Sequence, residues 1–156
     1  TDSGKMGMVL LMVIGGSPGS TAGGMKTTTA AVLFAMAISV FRKNEQAHLY
    51  NRRIAEETQR NAATIFVLYM MLFTGSAMFI SYLEKVPLVT AFFETGSAIG
   101  TVGLSLGLTP TLCLASRLVL ICLMFFGRVG GLTLIFATVS GKRTEYKYPQ
   151  EKINVG

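Results

Sequence analysis

Apolar residues fall along the chain in five blocks separated by polar or glycine-rich breaks. The first, MGMVLLMVI at residues 6–14, and the second, AAVLFAMAISVF at 30–41, are each shorter than the roughly 20 residues a helix needs to cross a bilayer. Between them lies GGSPGSTAGGMK, residues 15–26, with five glycines, a proline and three hydroxyls. Taken together, residues 1–43 predict one membrane crossing interrupted near its middle. Residues 61–83 are apolar and uncharged over a full spanning length, which predicts an unbroken transmembrane helix. The fourth block, PLVTAFFETGSA from Pro87, supports only about twelve helical residues, or about 18 Å of helix. That is half a membrane, and a proline suits the first turn of such a helix. It runs into IGTVGLS and then LGLTP, so residues 87–105 predict a re-entrant loop with a short helix down and extended chain back. Residues 110–139 form the last span, interrupted by GRVGG at 127–131.

The polar stretches orient these spans. Arg42, Lys43, Arg52, Arg53 and Arg60 lie in one, and Lys142, Arg143, Lys147 and Lys152 lie in the tail, whereas the connection at Glu84 and Lys85 has one cation. By the positive-inside rule residues 44–60 and 140–156 are cytoplasmic and the connection is outside. Arg52 and Glu56, Arg53 and Glu57, and Glu56 and Arg60 are four apart, which predicts a solvated helix within 44–60. His48 stands alone there as a surface residue, and Tyr82 sits where an interfacial aromatic belongs. The formal net charge of +6 follows the ends of the apolar spans, which argues against nucleic acid as a partner. A content of 51% hydrophobic and 14% charged residues, with mean hydropathy +0.52, fits a membrane protein. The chain opens on Thr1 with a first block that looks truncated, so a longer parent chain is expected. Cys113 and Cys122, nine apart on opposite helix faces, suggest neither a disulfide nor a metal site.

Candidate chemistry follows from depth. Irregular backbone inside hydrocarbon must be buried in protein or line a watery cavity, so a glycine-rich break at mid-membrane points to a transport pathway. The segment from Gly19 to Thr27 nearly matches a phosphate-binding loop, but Met25 separates the glycine from Lys26 and puts the lysine out of register. Thr101-Val102-Gly103 after a half-length helix has the composition of a cation filter, where backbone carbonyls replace the ion's water shell. Arg128 is an intramembrane cation, functional by default, with a structural ion pair as the alternative. Glu94 is an intramembrane carboxyl that either balances a cation or raises the local cation concentration; both readings stand. No nucleophile, base and orienting group cluster, which argues against an enzyme. Two other functions fit parts of the pattern. A broken-helix secondary transporter for an anionic or amino-acid solute would use Lys26 and the helix start at Thr27 to bind a carboxylate. A membrane scaffold would leave the break and Arg128 unexplained.

GGSPGSTAGGMKTT, FFETGSAIGTVGLSLGLTP and FFGRVGGLTL, in this order, resemble the Trk/Ktr/HKT superfamily of potassium transporters, and within it the bacterial Ktr-type ion-translocating membrane subunit. The resemblance covers nearly the whole chain. It implies an all-α membrane protein of helix–pore loop–helix repeats around a central pore. This chain would supply the second half of the third repeat, with its broken transmembrane helix, and the complete fourth. The resemblance further implies potassium uptake across the plasma membrane. Thr101, Val102, Gly103, Leu104 and Ser105 would form one filter segment, with Gly103 its filter glycine. The gate would comprise Gly15, Gly16, Ser17, Pro18, Gly19, Ser20, Thr21, Ala22, Gly23, Gly24 and Lys26, with Arg128 facing the pore beside it. Gly130 and Gly131 stand where the family often has a glycine–proline pair, a local departure. Also implied are a homodimer in the lipid bilayer and a cytoplasmic ring of nucleotide-binding regulatory subunits of the RCK/KTN type. The stretch 44–60 and the tail 140–156 would be the contact surfaces. The resemblance implies no covalent cofactor; K+ is the transported ion and Na+ a candidate coupling ion.

Overall fold

Along residues 1–43 the helical hydrogen bonding stops at Ile14 and resumes at Thr27, giving α1 (Asp2–Ile14, 13 residues) and α2 (Thr27–Phe41, 15 residues). The computed structural model describes residues 1–43, 48–49 and 52–130. Gly15 ends α1 with φ 63°, a conformation that glycine adopts without a Cβ penalty. The chain then loops out and returns: the Met25 amide donates to the Val13 carbonyl at 3.2 Å and the Thr27 amide to the Gly16 carbonyl at 3.1 Å. The two half-length helices are therefore tied together at the base of the break.

The connection differs from the expected solvated helix. His48–Leu49 (β1) pairs antiparallel with Arg52–Arg53 (β2), Leu49 opposite Arg52, and the next helix begins only at Glu56. Of the three four-residue spacings, only Glu56 and Arg60 share a helix. Such pairs contribute a few tenths of a kcal/mol each, too little to offset the cost of nucleating a helix.

Helix α3 (Glu56–Glu84) has 29 residues and is the one helix among the described residues long and apolar enough to cross a membrane. Lys85, with φ 54°, stops it, and Pro87 precedes α4 (Leu88–Ile99, 12 residues). After the segment 100–108 comes a 3₁₀ turn at Thr109–Thr111 and then α5 (Leu114–Val129, 16 residues), so helical geometry starts later than Pro110. Residues 131–139 of the expected last span lie outside the described residues. The Cys113 amide before α5 donates to Glu84 Oε1 at 2.9 Å, so the last residue of α3 holds the residue that leads into α5. Arg117 of α5 donates to the Pro110 carbonyl at 2.8 Å. Both cysteines are free and exposed.

Short helix α4 is the centre of the fold. It packs against α1, α3 and α5, and every residue from Phe93 to Ile99 is buried. Val9 and Met12 of α1, Tyr69, Phe73 and Ile80 of α3, and Leu123 of α5 close around it. The Phe73 and Phe92 rings meet at 5.0 Å. Outward faces carry exposed apolar side chains, among them Leu11, Phe34, Met71 and Leu114, a pattern suited to lipid or to further protein. Ile80 is fully buried. Ile80→Ala should therefore cost about 2–5 kcal/mol through the cavity it leaves. The check is thermal unfolding of the purified protein in detergent, where Leu114→Ala at the exposed surface should change little.

Candidate functional site

The loop of the broken helix lies against the start of the segment that leaves α4 and against the end of α5. The Gly23 amide donates to Thr101 Oγ1 at 2.8 Å, and the Gly24 amide donates to the Gly127 carbonyl of α5 at 3.2 Å. Gly23, Gly24 and Met25 are buried, whereas the tip from Ser17 to Thr21 is exposed. Within the tip the Ser20 amide donates to the Ser17 carbonyl and Ser20 Oγ accepts from the Ala22 amide, at 3.0 and 3.1 Å. Both expected cations turn onto loop carbonyls. Lys26 Nζ donates to Ala22 at 2.6 Å, and Arg128 Nη1 donates to Thr21.

Contact between these backbones is unusually close. A Cβ on Gly23 would stand 2.6 Å from Thr101 Cγ2 and 3.0 Å from the Gly127 carbonyl oxygen. A Cβ on Gly127 would overlap the Ile99 carbonyl. The loop, the end of α4 and the end of α5 thus meet main chain to main chain.

Residues 101–106 leave α4 with a regular alternation. The Val102 amide donates to the Ser97 carbonyl at 2.9 Å, the Leu104 amide to Ser97 Oγ at 2.8 Å, and the Leu106 amide to Glu94 Oε1 at 2.9 Å. In a trans peptide the carbonyl of one residue points opposite to the amide hydrogen of the next. No cis bond occurs among the described residues, so the carbonyls of Thr101, Gly103 and Ser105 point away from α4. None of these three accepts a hydrogen bond among the described residues. Thr101 and Gly103 have φ of 52° and 83°. For a β-branched residue the left-handed region is an outlier; here the Thr101 hydroxyl is engaged by the loop.

Glu94 is buried, 3% exposed, and sits behind this segment. Ser105 Oγ donates to Oε1 at 2.6 Å beside the Leu106 amide, and Thr109 Oγ1 donates to Oε2 at 2.8 Å. The sequence reading does not single out Ser97, although its place three residues after Glu94 on one face of a short helix is a usable signal. By sequence Gly127 reads only as a kink or packing site, and Ile99 and Gly100 only as chain between helix and filter. Pro18 and Gly19 stand apart from the junction in the exposed tip. A cavity of about 500 Å³ beside the loop is lined by apolar side chains such as Val13, Met25, Phe34 and Phe66, which suits neither an ion nor a carboxylate. No group of three metal-ligating side chains occurs among the described residues.

The two glycines that matter most differ in kind. A Cβ on Gly103 would meet no heavy atom within 4 Å, so Gly103→Ala should cost only the left-handed backbone penalty, about 1–2 kcal/mol. At Gly127 the neighbour is backbone and cannot yield, so Gly127→Ala should cost about 3 kcal/mol or more. Thermal unfolding of the two variants side by side checks the order.

Residues 1–146 match the family model TrkH, described as a cation transport protein. The potassium/sodium uptake protein NtpJ of Enterococcus hirae is 41% identical over 155 residues, covering 95% of this chain and 34% of that protein. The Ktr system potassium uptake protein B of Bacillus subtilis is 33% identical over 148 residues, 95% of this chain and 33% of its own length. Protein D of the Ktr system of the same organism is 32% identical over 158 residues, 100% of this chain and 35% of its own. The chain thus spans about a third of the length of these relatives. With a family model matched over nearly its whole length, the chain belongs to the TrkH family of cation transport proteins.

Proposed function

We propose that the chain forms part of a path for uptake of potassium, or monovalent cations more generally, across the plasma membrane. Thr101 to Ser105 supply one filter segment, and the loop 15–26 is a gate beneath it. The observation that carries this reading is the row of carbonyls at Thr101, Gly103 and Ser105, turned away from α4 and without a partner among the described residues. Unpaired carbonyl oxygens are costly unless a ligand or water takes them, and a dehydrated cation is such a ligand. Lys26 and Arg128, both bonded to the loop, add positive charge where a cation would pass and disfavour its passage while the loop is seated.

The names of the relatives support potassium, with sodium as either co-substrate or coupling ion. The names of the two Bacillus subtilis relatives also carry the word "system", which supports a multi-part assembly. In that assembly this chain is part of a membrane subunit of repeated helix–pore loop–helix units, paired as a homodimer. It docks on cytoplasmic nucleotide-binding regulators through residues 44–60 and 140–156. No covalent cofactor and no catalytic residue enter the mechanism.

The test is growth of potassium-uptake-deficient cells on low potassium, with the full-length transporter that contains this chain. Wild type should rescue growth, and Gly103→Ser should lower potassium-over-sodium discrimination about tenfold through backbone strain at the filter. Absence of rescue by well-inserted wild type would overturn the reading, and unchanged discrimination in the variant would remove Gly103 from the filter. Deleting residues 17–20 from the exposed tip should raise cation flux; loss of transport in a folded, inserted protein would remove the loop from the role of gate.

A further inference from the structure

We infer that Glu94, with Ser97, is a positioning residue of the filter, and that it acts through the reach of its carboxyl oxygens rather than through its charge. This inference rests on the proposed cation path. Sequence alone leaves Glu94 with two electrostatic readings; the geometry points to a third. Its two oxygens take three donors, the Ser105 hydroxyl, the Leu106 amide and the Thr109 hydroxyl, at 2.6, 2.9 and 2.8 Å. Ser97, one helical turn on, takes the Val102 amide on its carbonyl and the Leu104 amide on its hydroxyl. Three successive even-numbered amides are thereby held against one face of α4. Because each is the far side of a trans peptide, holding them turns the carbonyls of Thr101, Gly103 and Ser105 outward. Glu94 holds the last of these peptides by the Leu106 amide and also takes the Ser105 hydroxyl, so it sets the outer end of the row.

Burial makes these bonds hard to replace. Glu94 and Ser97 are 3% and 4% exposed, so no water stands in for these acceptors on the protein side of the segment. Donors on the exposed residues Val102, Leu104, Ser105, Leu106 and Thr109 that lose them turn to solvent, and the segment rearranges. Glu94 works here from behind the segment: its oxygens are engaged by the chain that bears the carbonyls.

Two substitutions separate reach from charge. Glu94→Gln removes the charge but preserves length: its amide oxygen can take the Ser105 and Leu106 donors, and its NH2 group can donate to the Thr109 hydroxyl, which accepts as readily as it donates. Glu94→Asp preserves the charge but withdraws the oxygens by about 1.5 Å, beyond hydrogen-bond range of donors now at 2.6 to 2.9 Å. The experiment measures the ratio of apparent affinities for potassium and sodium in uptake by the full-length transporter, normalised to the amount in the membrane. That ratio does not move with folded amount alone. In Gln it should stay within about threefold of wild type, and in Asp it should fall about tenfold or more.

The reverse order, with Gln impaired and Asp near wild type, would overturn the inference in favour of an electrostatic role. Wild-type ratios in both would also overturn it. If neither variant reaches the membrane, Ser97→Ala decides: it removes the acceptor of the Leu104 amide and should lower the same ratio, and an unchanged ratio overturns the inference. Failure of wild type itself to take up cations would instead overturn the proposed function, so the two failures are distinguishable.

Discussion

At Gly127 the backbone of α5 lies so close to Ile99 at the end of α4 that no Cβ fits between them. The Gly127 carbonyl also receives the Gly24 amide of the loop. In hydrocarbon there is little to gain by exchanging lipid for another apolar surface, so helices associate through close packing and internal polar bonds, which small residues permit. Here three stretches of main chain use that permission at one point. The loop rests on both helix ends, and the segment 101–106 leaves α4 from the same junction. Gly23, bonded to the Thr101 hydroxyl, joins the loop to the first residue of that segment. The rest of the arrangement depends on this contact.

Around the junction α4 has an unusual combination of properties. It is half the length of a membrane span, yet buried on every side from Phe93 to Ile99, and it carries Glu94, Thr95 and Ser97 inside that burial. No buried side-chain polar atom lacks a hydrogen bond among the described residues. Thr95 satisfies itself on the Ala91 carbonyl of its own helix, while Glu94 and Ser97 take the amides and hydroxyls of the returning chain. The short helix therefore serves as a template: it takes the amides of Val102, Leu104 and Leu106 and leaves the carbonyls of Thr101, Gly103 and Ser105 over. The charges are divided along the segment as well. The Ser105 end has the Glu94 carboxyl behind it, and the Thr101 end meets the loop that holds Lys26 and Arg128.

Much of this is legible in the residues alone. Glycines, a proline and hydroxyls between two short apolar blocks mark a break at 15–26, because helix-breaking residues there have no compensating run of polar sequence on either side. Twelve residues after Pro87 are too few for a span, which predicts the half-length helix that α4 forms. The hairpin at His48–Leu49 and Arg52–Arg53 is not legible, because weak charge spacings resemble those of a solvated helix and only the pairing of two strands distinguishes them. Ser97 is hidden for a different reason: a serine in a helix has many bland explanations, and its partner amide belongs to a turn with no periodicity of its own.

Block lengths, the position of glycine and proline, and the charges at the ends of spans are local properties, and from them follow the order of helices, the break and the half-length helix. What Glu94, Gly127 and Thr101 do is not local. Gly23 and Thr101 are 78 residues apart, and Arg128 and Thr21 are 107 apart. Which donor reaches which acceptor across such separations depends on how α1, α3 and α5 pack around α4. Hydrogen bonds act only over about 3 Å, so their partners were decided by tertiary packing alone.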